Sequence, residues 1–473
     1  MVGADGAVDW WRPVGFDAPP LFTRRRDPSG LGLRVGPAGR SGVAGEQSWV
    51  RDTNVVSTRL AAPAGLVEVV DFVPWSGAGT LPAWRIVRLV TVLSGLVDLA
   101  VEPVGGRPDM VVSAGFGVGG ALVSPGFPVV GGVATTRLEA GQRVVATIDA
   151  PGRRGEPLSV EGADELRRRT EEGWRAHLGQ LAYDGFHRDR ARRSLLVLGA
   201  LTQASSGALV RDATDPTTRM ADVAGAAGIE SRVALFDEAA LHAGWLAGIL
   251  DAAEPPLAEA HTLGGDPVES EDGIARASIA AHAALVDAVR LEQPGGEAAV
   301  AAMWDGLARV AHWLAGGWTG ASTVGDDLAA WHVLDRMAAT AASGDPLSLD
   351  ALAWRVAAAE LQGWLDGGAA EAPPEPGLLR AAWVGPWAAR GDETVAHLVQ
   401  RVLDHWAADD GVHAPTAPAP RLAAVEALAA LGRWEEAHER MDSVLADPAA
   451  ADLTAATHVA ILRAALALSA GPR

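Results

Sequence analysis

Acids and aromatic rings crowd the stretch DGAVDWWRPVGFDAPPLF, residues 5–22, where Asp5, Asp9 and Asp17 stand among Trp10, Trp11, Phe16 and Phe22. Carboxylates accept hydrogen bonds or hold cations and rings stack on flat ligands, so this mixture suits a ligand site, a metal site or one edge of an ordinary sheet. Two acid pairs, Asp237–Glu238 and Asp326–Asp327, each open an apolar run of helical spacing, where the dipole of a helix start favours negative charge. ESEDG, with Glu269, Glu271 and Asp272, reads as a solvated acidic loop. The histidines show no HExxH or comparable ligand spacing, so no metal site is indicated, and His282 reads as a packed side chain. There is no P-loop and no GxSxG elbow, and GFGVGG lies among strands with no helix after it. No cofactor is expected.

The period of the sequence changes near residue 155. Before it, VVSTRLAAPAGLVEVVDFVPW, WRIVRLVTVLSGLVDLAVEPV and RVVATIDAP read as strands joined by tight turns, an antiparallel β-sandwich over residues 1–155. VEGADELRRRTEEGWRAHLGQL then has helical spacing and strong charge, and residues 156–188 are expected to link two domains. From 189 to 473 roughly eleven helical segments follow, each with an apolar stripe. No fixed repeat recurs, so a superhelical array is not supported; a closed (α/α)6-type toroid of antiparallel helix pairs fits the count better than the alternative, an open helical bundle.

At 473 residues and 49% hydrophobic content the chain can bury a large core. A formal charge of −20 with no concentrated basic surface argues against a nucleic-acid partner. The sequence contains no cysteine, which excludes disulfides and thiolate metal sites. No run approaches a membrane span and no signal peptide is evident, so a soluble cytoplasmic protein without a membrane partner is expected.

Several stretches resemble the bacterial glucoamylase and trehalase-like proteins of glycoside hydrolase family 15. DGAVDW and FDAPPLF are similar to that family's DGSIDW and FDSPSVF segments, RDTNVVSTRL to DTNVLETRF, and VEVVDFVPW to VRVTDFMPV. ARRSLLVLGALTQASSGALV resembles the helix that starts its catalytic domain, and DDLAAWHVLDRM matches a further helix at Trp331, Leu334, Asp335 and Arg336. The resemblance implies a β-sandwich followed by a helical toroid, an α-glucoside or oligosaccharide as ligand, and hydrolysis with inversion. Inversion needs two carboxyl groups roughly 6.5–9.5 Å apart, one protonating the leaving oxygen and one activating water.

The family's catalytic motifs are degenerate here. Its glucose-gripping motif NWDYRYCWLRDA is set against GIESRVALFDEAA, which keeps Arg232 and offers Asp237 and Glu238 in place of an Arg–Asp pair. The loop expected to carry the general acid reads GGWTGASTVGDD, with Trp318 followed by Thr319 and then Asp326. The loop of the general base has no counterpart. Asp237, Glu238 and Asp326 are therefore the candidate carboxylates, and Phe16, Asp17, Arg232 and Trp318 the candidate sugar contacts. The expected reading is a carbohydrate-related, glycoside-hydrolase-like protein that is catalytically impaired. The alternatives are an active hydrolase with relocated carboxylates and a non-catalytic scaffold that binds sugar or protein.

Overall fold

The computed structural model describes residues 1–13, 15–40, 42–75, 84–105, 129–130, 133–150, 158–288, 296–316, 323–344, 348–368, 371–382, 393–407, 415–447 and 454–471. The chain forms two compact units, Met1–Gln180 with Ala213–Pro216, and Leu181–Asp212 with Thr217–Arg473.

The first unit is built on an antiparallel, nine-stranded curled sheet. Its strands are β1 (Ala7–Val8), β2 (Gly32–Pro37), β3 (Glu46–Trp49), β4 (Val56–Ala62), β5 (Gly65–Phe72), β6 (Arg85–Val104), β7 (Val129–Val130), β8 (Val133–Glu139) and β9 (Arg143–Asp149). The main path runs β1-β2-β6-β5-β4-β3, with β8 and β9 also on β6 and β7 on β8. The segment WRIVRLVTVLSGLVDLAVEPV is thus not two strands and a turn. It holds one strand of 20 residues.

The first half of β6 pairs with β5 and β9, the second half with β2 and β8. Gly95 marks the change, at φ 71°. A Cβ there would lie 1.8 Å from the Ala64 carbonyl oxygen, so only glycine lets the strand turn at that contact. The register of β5 against β6 also shifts between Leu66 and Val67, and such a bulge increases local curl. The two halves of the sheet therefore face one core, in which Val35, Leu60, Val69, Val90, Leu99 and Val101 pack together.

Charge pairs fix the pairing of β6. Arg88 stands opposite Asp71, Arg85 opposite Asp149 and Glu102 opposite Arg34 in the ladder registers. The Nε atoms of Arg88 and Arg85 lie 2.5 Å from their carboxylates, and Arg34 Nη1 lies 2.6 Å from Glu102. Arg88 is fully buried and also donates to the carbonyls of Leu33 and Gly6. Helix α1 (Val160–Gly179) lies on β6 and β9. The Ser159 hydroxyl caps it by accepting from the Gly162 N–H at 3.1 Å, and Trp174 packs edge-on against Trp75.

The second unit carries eleven of the twelve described α-helices: α2 (Arg188–Leu201), α3 (Met220–Arg232), α4 (Phe236–Ala252), α5 (Ile279–Ala288), α6 (Gly296–Ala315), α7 (Val324–Gly344), α8 (Leu349–Gly368), α9 (Glu393–Ala407), α10 (Pro418–Ala430), α11 (Trp434–Ala446) and α12 (Ala455–Ser469). A 3-10 helix covers Pro376–Ala382. Short strands β10 (Thr218–Arg219) and β11 (Ala260–His261) pair just ahead of α3, and β12 (Glu269–Ser270) with β13 (Gly273–Ile274) forms an exposed hairpin in the acidic loop.

Helix α3 packs on α4, α5 and α12; α5 on α7; α7 on α8 and the 3-10 helix; that helix on α9 and α10; and α10 on α11 and α12. Trp354 of α8 is fully buried, its ring near those of Trp304 and His312 on α6. Trp364 of the same helix is half exposed.

Asp71→Ala would leave the Arg88 guanidinium buried without its carboxylate, a loss expected to cost about 3–5 kcal/mol. Amide hydrogen exchange in β5 and β6 should then accelerate at least a hundredfold while the helices of the second unit keep their rates. Arg137→Ala, which removes the exposed cross-strand pair with Asp98, should leave the exchange rates of the same amides nearly unchanged.

Candidate functional site

The start of α3 gathers polar groups that the interior leaves unsatisfied. The corner is built by backbone pairing: Thr218 lies opposite His261 and Arg219 opposite Ala260, Thr218 bridges Val210, and the Arg211 N–H donates to the Thr217 carbonyl at 2.8 Å. Arg219 Nη2 approaches Glu259 Oε1 at 3.5 Å. Asp222 follows in the first turn of α3, with 8% of its surface exposed. Its Oδ2, the Thr218 hydroxyl and both ring nitrogens of His261 are buried with no hydrogen-bond partner among the described residues.

Burial pushes the Asp222 carboxyl up to about 6 and the Glu259 carboxylate adds to that rise, against the opposing pull of Arg219 and Arg211. Burial holds His261 below its ordinary value, which keeps the imidazole neutral; its ring stands edge-on to Trp245 at 5.7 Å. A corner of this kind presents a carboxyl, a hydroxyl and an imidazole beside two guanidinium groups. Such groups can donate to and accept from neighbouring hydroxyls at once, and unmet buried polar atoms are rare enough to mark a place where a ligand completes the bonding.

The residues picked out from sequence fall elsewhere. Arg232 is the last residue of α3 and is exposed, while Asp237 and Glu238 lie in the first turn of α4, past a tight turn in which Ala234 takes φ 66°. They stand at the far end of α3 from Asp222, ten residues or about 15 Å along its axis. Asp326 lies in the first turn of α7, and its N–H donates to the Thr323 carbonyl at 3.0 Å and hydroxyl at 3.2 Å. The neighbouring Gly325 N–H donates to Glu375 at 3.0 Å. Phe16 and Asp17 belong to the first unit, where Arg12 Nη1 donates to the Phe16 carbonyl and Asp17 is exposed. Trp318 lies outside the described residues. The structure thus brings Arg232, Asp237 and Glu238 together around one turn, while Asp326 begins a different helix of the same unit.

His282 is fully buried, with Nδ1 2.9 Å from the Ser278 carbonyl and Nε2 accepting from the Leu257 N–H at 3.2 Å. Among the described residues no group of three or more histidines and acids could hold a metal ion. None of the described helices is long and apolar enough to cross a membrane.

Four further side chains form a polar layer deeper in the same unit. Asp287, His332, Glu426 and Arg463 each stand eight residues past the first residue of α5, α7, α10 and α12. His332 Nε2 lies 2.8 Å from Asp287 Oδ1, and Arg463 Nη2 lies 3.0 Å from Glu426 Oε2. Burial would raise the Asp287 carboxyl, but the His332 hydrogen bond and the charges of His332, Arg336 and Arg463 outweigh it and hold the group below its ordinary value. Gly228, eight residues into α3, adjoins the layer, with its Cβ position 3.5 Å from the Asp287 carbonyl oxygen.

Asp222, Arg219 and His261 were not found from sequence. The signal was an acid three residues after an arginine, at the head of the small, apolar run MADVAGAAGI. It was obscured because the adjacent acids Asp237–Glu238 look more like a motif.

One solved structure shares this fold, and others are similar over part of the chain. A crystal structure of a bacterial glucoamylase complexed with acarbose is 11% identical, matches 77% of this chain and 64% of its own with a TM-score of 0.52, so the chain spans under two thirds of that protein. A wild-type glycosidase is 16% identical, covering 63% of this chain and 99% of its own at a TM-score of 0.47; a variant glycosidase in complex with glucose gives the same values. No family model and no curated protein matches the chain. At these identities the likeness establishes a glucoamylase-like mixed β and α fold.

Because folding raises the Asp222 carboxyl from 3.8 to about 6, the folded state holds a proton that the unfolded chain has already lost between those values. Its contribution to stability is full below pH 3.8 and falls as pH rises to about 6. Asp222→Asn should therefore be the more stable protein at pH 8, by on the order of 3 kcal/mol, and should flatten the decline between pH 4 and 6 in thermal unfolding.

Proposed function

We propose that this protein is a glycoside-hydrolase-like member of carbohydrate metabolism, related to the inverting α-glucosidases of family 15, that binds an α-glucoside or oligosaccharide at the start of α3 and is catalytically impaired. The observation that carries the reading is the buried Asp222 carboxyl, whose Oδ2 has no hydrogen-bond partner among the described residues and which lies within electrostatic reach of Arg211 and Arg219. An acid and guanidinium groups converging on one point suit adjacent sugar hydroxyls, each of which both donates and accepts.

The helical unit is read as a closed toroid. Support comes from the cycle of neighbours α3, α5, α7, the 3-10 helix, α10 and α12, in which α12 packs back on α3, with α4, α8, α9 and α11 each packed on a member of that ring. The polar layer supports the same reading, since equal depth in α5, α7, α10 and α12 places Asp287, His332, Glu426 and Arg463 level with one another only if those helices run in parallel. Parallel inner helices would open Asp222 and Asp326 at one mouth and place Asp237 and Glu238 at the other.

That division supports impairment, because the acids aligned with the sugar-gripping motif stand away from the buried corner. Thr319, where the family's acid is expected, cannot donate a proton at a useful pKa. The second reading, an active hydrolase, rests on Asp222 itself, since a carboxyl that titrates near 6 can protonate a leaving oxygen. A cytoplasmic setting belongs to the same proposal.

Saturation-transfer NMR and calorimetry with acarbose and maltotriose test it. The wild-type protein should bind, Asp222→Ala should bind at least tenfold more weakly, and the anomeric proton signals of maltotriose should stay unchanged over a day. Release of β-glucose by the wild type, lost in Asp222→Asn, would establish the active reading. Absence of binding by the wild type would reject both.

A further inference from the structure

We infer that the helical unit holds a second polyol-binding site, a charged floor formed by Asp287, His332, Glu426 and Arg463 at the bottom of an axial shaft walled by alanine and glycine. On the closed-toroid reading of that unit, on which this rests, a monosaccharide ring stands end-on below the α3 corner. In each of α3, α5, α10 and α12 the residues one, five and eight past the first are partly accessible. That spacing marks one face of a helix. In α3 and α12 every residue between those positions is buried. The first two positions hold only alanine or glycine, such as Ala221 and Gly225 on α3 and Ala456 and Ala460 on α12, and the third holds Gly228, Asp287, Glu426 and Arg463. Helix α7 has Gly325, Ala329 and His332 at the same three places, with His332 partly accessible.

These faces look inward. The Cβ position of Gly225 lies 2.6 Å from Val459 of α12, and that of Gly228 lies 3.5 Å from the Asp287 carbonyl oxygen of α5, so the accessible stripe of α3 runs between its two neighbours. Arg463 of α12 acts electrostatically on Asp287 of α5 although α3 packs on both helices, and that reach passes in front of Gly228. The Asp287 side chain keeps 49% of its surface accessible and that of Arg463 keeps 37%, yet burial is the largest influence on the Asp287 carboxyl. A group that is both wetted and hemmed in lines an enclosed space. Gly228 is six residues past Asp222 on α3, which sets the floor about 9 Å below the corner.

The chemistry of the floor selects a neutral polyol. The carboxylates of Asp287 and Glu426 are balanced there by the guanidinium groups of Arg463 and Arg336, so an amine or a carboxylate meets as much repulsion as attraction. The pairs His332–Asp287 and Arg463–Glu426 are already made, at 2.8 and 3.0 Å. A hydroxyl can add to both members of such a pair without breaking it, because it donates and accepts at once. The alanine and glycine walls above offer no polar side chain and suit the C–H faces of a pyranose.

The imidazole NMR signals of His332 in the full chain, assigned by their loss in His332→Gln, test this with glucose as the probe. They should move at millimolar glucose in the wild type and to a similar extent in Asp222→Ala. Gly228→Leu, which drives a side chain onto the floor, and Ala460→Leu, which plugs the shaft one turn nearer the helix start than Arg463, should each weaken that response at least tenfold. No atom lies closer than 3.5 Å to the Gly228 Cβ position, so the fold accommodates the first substitution. Signals that glucose leaves in place in the wild type, or that respond equally in both plugged variants, would overturn the inference. If maltotriose binding still depended on Asp222 in that event, the reading of the α3 corner would stand alone; a glucose response at His332 with maltotriose binding indifferent to Asp222→Ala would leave the floor standing and reject the corner.

Discussion

Taking a charge out of water is the constraint around which this structure is arranged, and its two units meet it differently. In the sheet, each buried arginine faces a carboxylate on the neighbouring strand in register, and Arg34 and Arg88 donate further to backbone carbonyls. Full satisfaction of that kind specifies a unique pairing, because sliding β6 by one residue would carry Arg85 and Arg88 to the wrong face of the sheet. At the start of α3 the same desolvation is only partly answered. Asp222 has arginines within electrostatic reach, yet one carboxyl oxygen has no bond. The sheet thus expresses stability and specificity, and the α3 corner keeps a buried polar group that the fold leaves unmet.

The two kinds of polar cluster in the helical unit differ in the same way. Asp287 with His332 and Glu426 with Arg463 are matched pairs that join neighbouring helices, and Asp287 stays ionised because its partners outweigh burial. Asp222 lacks such a match, and burial prevails. Position along the helices separates them: the matched layer lies eight residues in, while Asp222 lies in the first turn.

Much of the architecture was legible in the sequence, for physical reasons. Alternation with a period of two before residue 155 and helical spacing after it exposed the β and α regions, because those periods are set by backbone geometry. The continuity of β6 was not legible, since a glycine within an apolar run normally signals a turn, and only the Ala64 carbonyl beside Gly95 shows that the strand carries on. The candidates Arg232, Asp237 and Glu238 came from a degenerate linear motif, and one turn after Arg232 reverses the chain and sets them at the other end of α3 from the buried Asp222. Residue type carried the chemistry; which end of a helix a residue occupies depends on where the helix begins, and Met220 begins α3 by donating to the Glu259 carbonyl, a residue far along the chain.

The unbroken run of β6 gives the first unit a particular mechanical character. Strands from both halves of the sheet bond to this one strand, so neither half can open without loosening the common hub. Force or a local opening applied at one end is transmitted along the covalent backbone through Gly95 to the other. The unit should therefore behave as a single element with one yield point, in which a small defect anywhere on β6 is felt across the whole sheet.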